Sequence, residues 1–288
     1  MNKEGTTEEA KEEMDSFRAH WNVIYKPYTD DMEDRFITNN IEVFNKALEH
    51  FKEQKDLKIL EIACGSGKFS KYLMDNHADI VSEYVITDIS DEMIKLTEER
   101  MSDHLKGGKV NVLRIDAKDL DQQKFEKFDL ICAFLVIQLV SDRKAVFKNI
   151  CNLLKPDSRL LIVVPCDYEN STFFKGTVEI AEKFFGGKSS DDSPFFQMGK
   201  IEFMREELDA AGLEIEDITS SFAQYSNDPE RNFSTFYNFN AHKPEFQNLP
   251  KEKSEELFSM IRNLFDEMHK NGKVPEMQFR NYVVKFKD

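Results

Sequence analysis

A chain of 288 residues, 40% of them hydrophobic and 12% aromatic, can bury one sizeable core, and its length admits one domain or two. The formal net charge of -15 sets up a field that repels phosphate backbones, and no run of Lys and Arg overrides it; nucleic acid and anionic membrane are therefore disfavoured as partners. No uninterrupted apolar run is long enough to span a bilayer, and the start, MNKEGTTEEAKEEMDS, lacks an apolar signal core and is too acidic for a mitochondrial presequence, so a cytoplasmic location is expected.

Residues 1 to about 13 are polar and expected to fray. From Phe17 the chain turns aromatic through Trp21, Tyr25 and Tyr28, and Phe36, Ile37, Ile41, Phe44 and Leu48 then recur at helical spacing; residues 1–50 read as a helical N-terminal cap. Short apolar runs next alternate with amphipathic helices: LKILEIA before FSKYLMDNH, YVITDI before DEMIKLTEERMSDHL, then VNVLRID, FDLICAFLV before RKAVFKNICNLL, and RLLIVVP. This alternation predicts right-handed crossovers and an α/β, doubly wound fold whose largely parallel sheet is covered on both faces. After Pro165 the pattern loosens into a Phe-rich insertion at about 168–200, FFKGTVEIAEKFFGGKSSDDSPFFQMG, whose Gly-Gly and Ser-Asp cluster marks a loop. A helix (IEFMREELDAAG), an extended run (LEIEDITSSFAQYS), another helix (KEKSEELFSMIRNLFDEMHK) and a closing strand (FRNYVVKF) complete a domain read as 51–288, with the insertion as its lid. No internal repeat interrupts it.

The first strand runs into two closely spaced glycines, LKILEIACGSGKFS. A strand entering Gly65-Ser66-Gly67 and then a helix makes a nucleotide-type crevice, because glycines allow close approach to the backbone and the helix start offers free N–H groups. A P-loop would need G-x-x-x-x-G-K-[ST]; here Phe69 stands where the metal-binding hydroxyl belongs and Ile62 where the first glycine belongs. A dinucleotide fingerprint counted from Gly65 ends on Ser70 instead of glycine, although Asp88 follows at about the right separation.

A third reading uses the acid that the other two ignore. Glu61-Ile62-Ala63-Cys64-Gly65-Ser66-Gly67 resembles the first motif of class I S-adenosylmethionine-dependent methyltransferases, E/D-x-G-x-G-x-G, with Ala63 in place of the first glycine. YVITDISDEMI resembles the second motif of that family and LRIDAKDL the third, while FEKFDLICAFLVIQLV and LLKPDSRLLIVVP resemble its fourth and fifth strands. The likeness covers about residues 55–165 and, more loosely, the final helix and strand pair. It implies a seven-stranded, mostly parallel sheet with an antiparallel last strand, and S-adenosyl-L-methionine as cofactor. Carried over position by position, Asp88 would accept hydrogen bonds from both ribose hydroxyls, and Ile89 and Met93 would flank the adenine. Asp116 would accept from the adenine amino group and Ala117 offer its N–H to the ring. Glu61, Ala63, Gly65 and Gly67 would shape the loop against the methionine end, with Phe134 beside it.

Each acid also has a purely structural reading. Asp88 would serve as a helix N-terminal acid, with Ser90 or Asp91 capping the helix, and Asp116 as a turn residue at a strand end. The four cysteines lack CxxC spacing and read as free core thiols. The six histidines are scattered without a metal-spaced pair, so no metal site is expected; His20 stands out because it adjoins Trp21.

A sulfonium methyl is intrinsically electrophilic, so proximity and orientation account for much of the rate and no dedicated catalytic residue is assigned. Acceptor contacts are expected from the cap, the stretch after the fourth strand and the insertion: Trp21, Tyr25, Tyr28, Phe134, Gln138, Tyr168, Phe173 and Phe174. An aromatic lid on an acidic protein suits a small, partly apolar, neutral or cationic acceptor. Within the family, the layout resembles that of small-molecule methyltransferases, which implies transfer to O or N. The competing readings are a catalytically silent, cofactor-binding regulatory or assembly subunit and a protein methyltransferase. The residues specify no oligomeric state.

Overall fold

The computed structural model describes residues 18–26, 28–29, 32–51, 54–186 and 194–287. Five parallel strands, β1 (Leu57–Ile62), β2 (Val81–Asp88), β3 (Val110–Arg114), β4 (Phe128–Phe134) and β5 (Leu154–Pro165), are joined on one edge by β6 (Leu213–Gln224) and β7 (Glu276–Phe286) in the order β3-β2-β1-β4-β5-β7-β6. β7 is antiparallel to both of its neighbours, so it alone runs against the rest. The α/β architecture expected from the alternation is the one observed.

The central strands are nearly continuous in apolar residues because both of their faces are covered. Successive side chains point to opposite faces, and the core divides accordingly. Ile59, Leu130, Cys132, Leu161 and Val163 belong to one buried cluster; Leu60, Ile131, Ala133, Leu160 and Ile162 belong to the other. On the second face lie α4 (Arg143–Leu153), through Val146, Phe147 and Ile150, and α6 (Ile201–Ala210), through Met204 and Leu208. Each such buried aliphatic contributes roughly 1.5–3 kcal/mol against exposure.

α1 (Glu33–Leu48) packs on the first face through Phe36, Val43, Phe44 and Ala47, with the Phe36 ring edge-on to Phe279 at 5.1 Å and Phe44 edge-on to Phe69 at 5.3 Å. The helical spacing of its aromatics thus reports a layer of the main core. Residues 18–26 are helical as well.

The insertion after β5 opens with a helix. Thr172–Phe185 forms α5, with Phe173 and Thr177 buried and Ile180 and Phe184 partly buried at helical spacing, and it ends on Gly186 in the left-handed conformation, φ 75°. A Cβ on Gly176 would lie 2.7 Å from Leu264 in α8 (Lys251–Lys270), so that glycine permits close approach of the two helices. The Ser-Asp cluster, within 187–193, falls outside the described residues. α7 (Pro229–Asn240) is a helix that the apolar pattern did not announce.

Strand order reverses between β1 and β4, and the crevice at their carboxyl ends is where an open parallel sheet accepts a ligand. Among the described residues no helix is long and apolar enough to cross a membrane. The four cysteines are free thiols.

Candidate functional site

Between β1 and α2 (Lys68–His77) the backbone enters the left-handed region three times: Ala63 at φ 58°, Gly65 at 59° and Gly67 at 74°. Two glycines make such a path accessible, and the alanine bears the cost of its Cβ. The loop is held by carboxylates. Gly65 N–H donates to Asp88 Oδ2 at 2.9 Å, and Ser66 N–H donates to Glu33 Oε1 at 3.0 Å while the Ser66 hydroxyl donates to Glu33 Oε2. From α3 (Asp91–Arg100), Thr97 Oγ1 donates to Gly65 O at 3.0 Å and the Arg100 guanidinium donates to Ser66 O and Oγ.

A cavity of about 470 Å³ opens over this loop. Of the residues singled out in the sequence, Ala63, Gly65, Asp88, Ile89, Met93, Asp116, Ala117 and Phe134 line it, together with Trp21 and Tyr28. Asp88 is 7% exposed, and its second oxygen, Oδ1, accepts from Ser90 N–H at 2.9 Å. Burial raises its pKa to about 6 against the pull of those backbone donors. Ser90 caps α3 by accepting from Met93 N–H, so the capping role falls to it. Asp116 does cap the following 3₁₀ turn, accepting from Lys118 N–H at 2.9 Å, and lines the cavity at the same time.

Two predicted loop residues face elsewhere. Gly67 does not line the cavity; a Cβ there would sit 2.8 Å from Thr97 Cγ2 and Oγ1, so its absence lets α2 start against α3. Glu61 accepts from Ser70 Oγ at 2.6 Å and from the Tyr84 hydroxyl, and burial raises its pKa to about 7. It borders a niche of about 40 Å³ beside the loop that Glu33, Asn40 and Phe134 also line. Asn40 Oδ1 is buried there without a hydrogen-bond partner among the described residues.

A second cavity, about 570 Å³, meets the first along His20, Trp21, Tyr28, Leu135 and Leu139. Gln138, Phe173 and Phe174, all singled out in the sequence, line it, and Gln138 Oε1 is buried with no partner among the described residues. Tyr25 and Tyr168 line neither cavity. Helical residues turn by roughly 100° each, so the face carrying His20, Trp21 and Ile24 leaves Tyr25 at its margin. Tyr168 packs edge-on to Phe196 at 5.5 Å and donates its hydroxyl to Lys175 O, which makes it core of the insertion.

Other walls of this cavity were not read from the sequence. Phe236 and Phe239 come from α7, and Lys243 and Phe246 follow it. His242 Nε2 stands 3.2 Å from His20 Nδ1 across 222 residues of sequence. A local signal for α7 existed: Asp228-Pro229-Glu230 places a capping acid, which accepts from Glu230 N–H at 3.0 Å, ahead of proline at the first helical turn.

Residues 60–160 match a family model described as a methyltransferase domain. Over 114 residues the chain is 29% identical to the ubiquinone/menaquinone biosynthesis C-methyltransferase UbiE of Proteus mirabilis, covering 38% of this chain and 43% of that protein. It is 30% identical over 143 residues to malonyl-[acyl-carrier protein] O-methyltransferase 2 of Ilyobacter polytropus, covering 49% and 44%. The chain thus spans less than half the length of these curated relatives. YjhP of E. coli superposes with a TM-score of 0.52 at 14% identity over 89% of this chain and 93% of that one, a likeness of fold. Family match, strand order and glycine-loop crevice coincide: residues 60–160 match a methyltransferase domain, and the chain has the fold of the class I, S-adenosylmethionine-dependent methyltransferases.

Proposed function

We propose that the protein moves a methyl group from S-adenosylmethionine to a small-molecule acceptor seated in the second cavity. One observation carries this reading: the glycine-loop N–H groups of Gly65 and Ser66 are already engaged by the carboxylates of Asp88 and Glu33. A pyrophosphate needs those donors free and the neighbourhood positive. Here the carboxyl groups of Glu33, Glu61 and Asp88 outnumber the cations Lys68, 3.6 Å from Glu33, and Arg100, an environment that favours a ligand carrying positive charge at its amino-acid end and sulfonium.

The chain's own residues fit that cofactor. Each Asp88 oxygen keeps a lone pair beyond its backbone bond and can accept a ribose hydroxyl. Ile89 and Met93 supply apolar surface for the adenine, and Asp116 with Ala117 its polar edge. Asn40 Oδ1 and the Glu33 carboxylate offer acceptors for an ammonium in the adjoining niche. When bound, the cofactor supplies an electrophilic methyl. Trp21, Tyr28 and Leu135 stand at the seam of the two cavities, where they exclude water and orient the acceptor. Relatives named for C- and O-methyl transfer support the activity. The four free thiols support a reducing, cytoplasmic setting.

Calorimetry with S-adenosylmethionine and S-adenosylhomocysteine, against NAD and ATP, tests the reading. Binding of the first two alone is expected; comparable affinity for NAD, with none for the methyl donor, would remove it.

A further inference from the structure

The overall acidity of the chain points to a neutral or cationic acceptor, yet the second cavity has a basic pole. His20, on the wall shared by both cavities, meets His242 at 3.2 Å, and Lys243 follows His242 and lines the acceptor chamber. Lys243 is half-buried, and Asn240 Oδ1 at 2.8 Å is the acceptor it has. Among the described residues no carboxylate lies within 4.0 Å of its Nζ. Two acids also line this cavity. Glu245 is exposed at the rim, and Glu182 sits in the last turn of α5 near Phe185, whose ring meets Phe246 on that outer side. His20 stands at the seam with the cofactor cavity, His242 lies against it, and Lys243 follows in the chain on the wall of the second cavity.

Burial is the main cause that lowers the pKa of Lys243, and burial followed by the charges of His242 and Lys243 lowers that of His20. The charge of Glu245, an exposed residue, opposes that shift at Lys243 and at His242 without forming an ion pair with Lys243. His242 Nδ1 is itself buried without a partner among the described residues.

We infer that the acceptor is an amphipathic molecule whose nucleophile is an acidic oxygen, bound as the oxyanion by Lys243 and His20, with His242 positioning His20 from behind, while its apolar body fills the Phe-lined chamber. The inference rests on the reading of this cavity as the acceptor's seat. The oxyanion's lone pair would form the new O–CH₃ bond while the S–CH₃ bond breaks with its electron pair left on sulfur; no proton need be removed at that step. An amine acceptor, by contrast, would bring a second cation against Lys243.

The test uses the full chain saturated with S-adenosylhomocysteine and three probes of one chain length: decanoate, decanol and decylamine. Decanoate should bind roughly tenfold or more tightly than decanol, the worth of a charge-assisted hydrogen bond, and decylamine weakest. Lys243→Met should erase that preference and Lys243→Arg retain it, each leaving S-adenosylhomocysteine affinity within about twofold because Lys243 does not line the cofactor cavity. Equal binding of decanoate and decanol, a preference for decylamine, a preference unchanged in Lys243→Met, or no binding of any probe would each overturn the proposal. Failure of the wild type to bind S-adenosylhomocysteine is a separate result. It would bring down the methyl-transfer reading, while the same three probes on the free protein would still report whether the pole selects anions.

Discussion

Glu33 and Ser66 are joined at two points, the serine N–H donating to Oε1 at 3.0 Å and its hydroxyl to Oε2, so a helix outside the nucleotide-type motif holds the turn of the glycine loop. Glu33 is 7% exposed, which makes these bonds costly to leave unmade. Replacing Glu33→Gln removes the charge and forces an amide N–H against a hydroxyl that already accepts from Arg100. We expect a stability loss of about 1.5–3 kcal/mol in urea and S-adenosylhomocysteine binding weaker by roughly tenfold. An unchanged dissociation constant in the folded variant would show that the loop keeps its shape without this latch.

Two acids near the loop have raised pKa values, Asp88 at about 6 and Glu61 at about 7, both chiefly through burial. The folded state therefore binds protons more tightly than the unfolded chain. The stability this provides is fully present below the ordinary carboxylate range and is lost as pH rises through about 6 for Asp88 and about 7 for Glu61. The ligand-free protein should melt at lower temperature near pH 8 than near pH 5, with Glu61 responsible for up to about 3 kcal/mol of the difference. Glu61→Gln should flatten the profile over that window. Cofactor affinity should move the other way, falling below about pH 6 as Asp88 takes a proton and loses acceptor capacity. A melting profile of Glu61→Gln that tracks the wild type would dissociate Glu61 from the effect.

Ala63 and Gly67 share the left-handed region but differ in what surrounds them. At Ala63, glycine would relieve a strain of about 1–2 kcal/mol and add unfolded-state entropy of about 0.5–1 kcal/mol. Ala63→Gly should therefore stabilise by up to about 1 kcal/mol and keep or tighten cofactor binding, since Ala63 lines that cavity. At Gly67 a methyl both adopts the strained φ of 74° and meets Thr97 at 2.8 Å. Gly67→Ala should cost about 2–4 kcal/mol, with Thr97→Ala restoring part of it. Denaturant midpoints of the three variants decide the matter. Destabilisation by Ala63→Gly would mean that its methyl is needed for packing.

Gln138 presents to the second cavity a buried oxygen with no partner among the described residues. An unmet acceptor of this kind costs about 1–3 kcal/mol, which an acceptor molecule bearing a donor would recover. Gln138→Met should raise the melting temperature of the free protein and weaken acceptor binding, leaving cofactor affinity unchanged. If stability falls instead, the amide is satisfied in solution and serves the fold.

Much of this molecule follows from local rules. The alternation of apolar runs with amphipathic helices dictates a parallel, doubly covered sheet, and the run from Glu61 to Gly67 dictates a strand, a left-handed loop and a helix, because period, propensity and glycine conformations are properties of short segments. Asp88, Ile89, Met93, Asp116 and Ala117 were legible for the same reason: each sits within a few residues of a strand end, and parallel strands bring those ends to one edge. The direction of individual side chains was not. Gly67 faces Thr97, and Glu61 turns to Ser70 and Tyr84, because a few tens of degrees at a loop decide which wall a side chain joins. Contacts between distant segments were beyond reach altogether. Glu33 on the glycine loop, and His20 beside His242 and Lys243, arise only when the N-terminal helices, α7 and the sheet pack together. Those pairings are selected by the apolar faces of whole elements; the polar partners they bring together leave no periodic trace in the chain.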